Sequence, residues 1–91
     1  MSTSYSAWLV IGCPVDELDI PVEKIEELGL DSFYSGSDRM LVGIGIFASP
    51  DYGYVDLPDK YRLEEAISIN FAKFFTLTGK VGKLYLTVKV I

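Results

Sequence analysis

Residues 83–91 alternate without a break. Leu84, Leu86, Val88 and Val90 fall on one set, and Lys83, Tyr85, Thr87 and Lys89 on the other. That is the period-two pattern of a strand with unlike faces. Residues 5–13 are apolar on both sets, which predicts a central strand. Residues 39–48 read as a second long apolar strand. Residues 31–35, with Phe33 and Tyr34, read as a short one, and Gly36-Ser37 between these two is a hairpin signal. Two stretches have the helical period instead. Asp19-Ile20-Pro21 opens a short helix with Val22, Ile25 and Leu28 along one side. Gly29 suits its C-terminal turn, with Leu30 closing back on Ile25. Residues 14–20 can add a separate turn. From Pro58, the residues Leu63, Ala66, Ile67, Asn70, Phe71, Phe74 and Thr78 form one stripe, with Phe75 beside it. Gly79 ends this helix, and Lys80 sits where the helix dipole favours a cation.

The resulting order, β-α-β-β-α-β, predicts an α+β fold of the ferredoxin-like kind. One antiparallel sheet of order 4-1-3-2 would carry both helices on one face. The short second strand is the least marked, and without it a three-stranded βαβαβ sheet is the fallback. With Leu84, Leu86, Val88 and Val90 facing the helices, Leu9, Ile11, Val42, Ile44 and Ile46 join them. Trp8, Val10, Gly12, Leu41, Gly43, Gly45, Phe47, Tyr85 and Thr87 are then left on the open face. Glycine inside a strand marks close approach by another group. Trp8, Phe47 and Tyr85 are therefore the expected anchors of an interaction surface, and Tyr52 and Tyr54, at a loop tip, are expected to extend it. The plain alternatives are an inverted strand register, and a loop whose rings pack back on the domain.

At 91 residues the chain predicts one domain, 1–91. Its hydrophobic fraction of 49% and mean hydropathy of +0.29 are high for so small a body. Surplus apolar surface predicts self-association as a homodimer or higher homo-oligomer. The longest apolar runs, 7–15 and 40–48, are too short for the roughly 20 residues of a membrane-spanning helix, and the start lacks the features of a secretory signal. With a single cysteine, a reducing cytoplasm is the expected location.

Charge is uneven. Residues 1–38 carry eight acids against Lys24, residues 39–71 five acids against three bases, and residues 72–91 four lysines and no acid. The net charge of −5 argues against a protein that tracks phosphates and permits docking on a basic protein surface. Seven acids crowd residues 16–31, either as a surface for a basic partner or as a solvated helix face. They lack the loop spacing of a calcium-binding hand.

No histidine is present, which removes the commonest hydrolytic triads and most zinc sites. Cys13 ends an apolar strand without a basic neighbour, the setting of an inert thiol. Asn70 on the apolar stripe reads as an amide bonded to backbone. The segment 78–83, Thr-Gly-Lys-Val-Gly-Lys, follows a helix and precedes a strand, the reverse of a phosphate loop, and reads as a cap and turn. No catalytic residue, metal or cofactor is implied.

Residues 7–12 (Ala-Trp-Leu-Val-Ile-Gly), 49–54 (Ser-Pro-Asp-Tyr-Gly-Tyr) and 78–86 (Thr-Gly-Lys-Val-Gly-Lys-Leu-Tyr-Leu) together resemble small bacteriophage-encoded accessory proteins. The resemblance carries over no functional residue. It implies work in an infected bacterial cytoplasm, as an inhibitor that binds host machinery. The expected function is a non-catalytic protein-binding module that occludes its partner. The alternatives are a nucleotide or single-stranded nucleic-acid binder on the open sheet face, and a small enzyme using carboxylates or tyrosine.

Overall fold

A computed structural model describes residues 5–34, 40–50 and 53–90. The elements are β1 (Tyr5–Pro14), a single 3-10 turn (Val15–Glu17), α1 (Val22–Glu27), β2 (Asp31–Tyr34), β3 (Met40–Ala48), α2 (Lys60–Thr78) and β4 (Lys83–Val90). The Gly36-Ser37 hairpin signal, Arg39, Tyr52 and Ile91 lie outside the described residues. The four strands form one sheet of order β2-β3-β1-β4, and every neighbouring pair is antiparallel. The fold is α+β, and the short strand is present.

Local chemistry explains the boundaries. Pro14 pairs with Leu41 at the end of β1, and the chain then tightens into the 3-10 turn closed by Leu18 N–H on Val15 O at 3.1 Å. Pro21, at φ −57°, is the residue that caps α1. The C-terminus of α1 is a Schellman closure. Gly29 takes φ 78°, its N–H donates to Glu26 O at 3.0 Å, and Leu30 N–H reaches Ile25 O at 3.2 Å. Helix α2 begins two residues after Pro58. Asp59 takes the cap because its carboxylate accepts from Arg62 N–H at 3.0 Å. Gly79, at φ 74°, ends α2. Thr78 Oγ1 donates to Phe74 O at 2.8 Å and accepts from Lys80 N–H at 3.1 Å, so residues 78–80 are the cap that the sequence predicts.

The core lies between the sheet and both helices. Ile11, Cys13 and Val42 from the strands, Leu18, Ile25 and Leu30 around α1, and Phe74 from α2 form one buried cluster. Phe74 is fully buried because Gly82 leaves room for its ring; a Cβ there would stand 2.9 Å from Phe74 Cδ2. Ile67, Phe71 and Leu77 flank it on α2. Asn70 Nδ2 donates to Ala66 O at 2.7 Å, so the amide on the stripe is indeed spent on its own helix backbone. Val22 departs from expectation, for it is 65% exposed. A helix of six residues makes under two turns and has room for one central inward position, which Ile25 takes.

A bulge in β3 resets the faces. Leu9 pairs with Phe47 but Val10 pairs with Gly45, so Ile46 is the extra residue. Leu9 shares its side of β1 with Ile11, and Phe47 therefore lies on the helix side. The expected placement of Phe47 beside Trp8 is corrected by that one residue.

Candidate functional site

The helix-free face holds Trp8, Val10, Gly12, Gly43, Gly45, Tyr85 and Thr87 by register, together with Phe33 and Leu41 of β2 and β3. The sheet curls over this face, and Cα atoms of β2 come within 8 Å of those of β4 although the two strands are opposite edges. Val10 and Phe33 are buried in the fold of the curl. The Trp8 and Phe33 rings meet at 5.6 Å between centroids, tilted by 56°. Lys89 Nζ lies 5.4 Å from the Trp8 ring centroid and 5.2 Å from that of Phe33. The indole N–H donates to Ser6 Oγ at 2.8 Å. Trp8 is thus half-buried among its own neighbours.

The strand glycines make this possible. A Cβ on Gly45 would stand 2.6 Å from Trp8 Cε3, so the group that approaches Gly45 is the indole itself. At Gly12 and Gly43 the approach is main chain on main chain: a Cβ on either would overlap the other strand's backbone.

Tyr85 is half-buried opposite Val10, and Tyr54 stands 87% exposed in the loop before α2. The five expected anchors do not form one patch. Trp8 and Tyr85 share the curled face, Phe47 lies on the other side of the sheet, Tyr54 is in a loop, and Tyr52 is outside the described residues.

A row of bare apolar side chains lies on the helix side of the sheet. Leu84, Leu86 and Val88 pair with Ile11, Leu9 and Ala7, so they point toward the helix layer, yet they are 44%, 76% and 50% exposed. The reason is width. A helix with side chains is about 10 Å across and covers about two strands at a spacing of about 4.8 Å. Helix α2 packs on β1 and β3, which leaves β4 uncovered. Beside Leu86, the residues Ala7, Leu9, Phe47, Ser49, Val55 and Leu57 line a groove of about 170 Å³. Its floor is tied together where Ser49 Oγ accepts from Ala7 N–H at 2.9 Å. Alternation put Leu84, Leu86 and Val88 on the helix side but implied that the helices cover them, whereas Val55 and Leu57 were not singled out by pattern. The available signal was a strand with four apolar residues assigned to the helix side in a chain with only one long helix.

The acids at positions 16, 17, 19, 23, 26, 27 and 31 are all exposed. Asp19 meets Lys80 at 3.9 Å in an exposed ion pair of little energetic weight. Glu26 and Asp31 rim an open cleft of about 350 Å³ between α1 and β2. Among the described residues no group of three or more His, Cys, Asp or Glu side chains could hold a metal. Cys13 is a buried free thiol. Burial pushes its pKa above the ordinary 9.0; the Glu17 carboxylate adds to the rise and Lys80 opposes it. This is the wrong direction for a nucleophile. Among the described residues no helix is long and apolar enough to cross a membrane.

No protein-family model, curated protein or solved structure matches this chain.

Proposed function

We propose that the chain is a non-catalytic protein-binding domain of the ferredoxin-like class, and that it docks a partner on the apolar strip at β4. The order β2-β3-β1-β4 is 4-1-3-2 read from the other edge, which supports the class. One observation carries the binding reading: Leu86, a large aliphatic side chain flanked by Leu84 and Val88 on a sheet edge, is 76% exposed. Contiguous apolar surface of this kind marks interfaces. The inert setting of Cys13 and the lack of histidine support a role without chemistry. Occlusion of a host protein, as the likeness to phage accessory proteins implies, is the form of binding proposed. The stacking needed by a nucleic-acid binder is less favoured, because the Trp8 and Phe33 rings already face each other and Lys89.

The test compares the immobilised protein with its Leu86→Asp variant in capture from a bacterial lysate. The expected result is a discrete protein retained by the first and lost by the second. Identical retention by both, or none by either, would remove the strip as the docking surface.

A further inference from the structure

Strand β4 offers more than an apolar row. It is an edge, hydrogen-bonded on one side to β1 and in no ladder on its other side among the described residues, with β2 approaching it within 8 Å between Cα atoms across the curl. It runs for eight residues with no proline and no bulge against β1. A long, regular edge is a template for another strand, and lysine is a usual guard against unwanted pairing. Here Lys83 is exposed near one end of β4, while Lys89 near the other is laid over the Trp8 and Phe33 rings.

A second copy fits poorly. Pairing β4 antiparallel with itself, with Leu86 opposite Leu86, keeps the apolar rows together but sets Lys83 opposite Lys89 twice. Any pairing of two copies gathers four lysines along one ribbon, with no acid in β4 to offset them. Directly opposed like charges destabilise a strand pair. The four bases and absent acids of residues 72–91 favour the opposite sign in whatever lies alongside. Lys83 is exposed and makes no ion pair among the described residues, so its charge is available.

We infer that β4 accepts a fifth strand from a protein partner: an extended segment with apolar residues at alternate positions and aspartate or glutamate between them. The inference rests on the protein-binding reading above and names the chemistry of the partner. The apolar residues would lie beside Leu84, Leu86 and Val88, next to the groove that Val55 and Leu57 border. The acids would lie on the face of Lys83. Main-chain hydrogen bonds would supply affinity, and the alternate side chains specificity.

The probe is a fluorescein-labelled peptide of about eight residues, a common strand length, alternating valine and glutamate. Its counterpart alternates valine and lysine. Each is titrated with the full chain by fluorescence anisotropy at low and high salt. The glutamate peptide is expected to saturate, to weaken with salt, and to bind at least about tenfold more tightly than the lysine peptide. Lys83→Glu should reverse that preference, and Leu86→Asp should abolish binding of both; circular dichroism checks that each variant stays folded. Equal binding of the two peptides, or binding of neither, would overturn strand addition. A dimer seen by sedimentation and lost in Leu86→Asp would also overturn it, by giving the edge to a second copy. If lysate capture still depends on Leu86 while neither peptide binds, protein binding stands and the acidic strand falls.

Discussion

A methyl group at Gly12 would overlap the backbone of β3, whereas one at Gly29 would meet nothing within 4 Å and conflict only with φ 78°. The two glycines are needed for different reasons, and urea denaturation should separate them. Gly29→Ala is expected to cost about 1–2 kcal/mol, the left-handed backbone penalty. Gly12→Ala should cost more, above about 3 kcal/mol, because two paired strands must part. Lys89 reports on the curled face. Lys89→Ala takes the ammonium off both rings, so acrylamide should quench Trp8 fluorescence more strongly than in the parent chain; unchanged quenching would mean that the lysine does not shield the indole. Cys13 predicts a pH effect of definite sign. Its folded pKa lies above the 9.0 of an unfolded thiol, so folding favours the protonated form. The stability this contributes is constant below pH 9 and declines as pH rises through 9 toward the folded value, because only the unfolded state ionises readily. Cys13→Ala should flatten that decline in urea titrations run from pH 8 upward.

The helix ends and strand identities were legible because each rests on local chemistry: Gly29 and Gly79 at left-handed closures, alternation in β4, the apolar stripe of α2. Asp59 was less visible, standing next to Pro58, which looks like the start. Its carboxylate bond to Arg62 N–H predicts that Asp59→Ala costs about 1 kcal/mol in thermal or urea unfolding. The nearby Arg62–Asp59 ion pair, at 3.7 Å and largely exposed, adds little to that. The candidate site was harder to read. Alternation assigns faces correctly only until an extra residue intervenes, and nothing about Ile46 distinguishes it from Ile44 in sequence. The outcome of its insertion is that Phe47 joins Leu9 rather than Trp8. Nor does alternation say whether a face turned toward helices is reached by them. Leu86 is on the side expected of it and still lies bare, because coverage depends on helix width and position.

For the whole molecule, the curl of the sheet and the offset of α2 are complementary. The curl buries Phe33 and Val10 without any helix, and the one long helix then needs to serve only β1 and β3. The uncovered strand is also the basic one, in a chain that is acidic elsewhere. Exposed apolar side chains and lysines thus coincide along a single strand. The position of β1 has a further consequence, for kinetics. Its neighbours in the sheet, β3 and β4, are both remote along the chain, and neither pairing can zip up from a tight turn. Long loops must close before the central ladder forms, so the topology places refolding in the millisecond-to-second range rather than the microsecond range of local folds. Stopped-flow dilution from urea, followed through Trp8 emission, measures that rate directly.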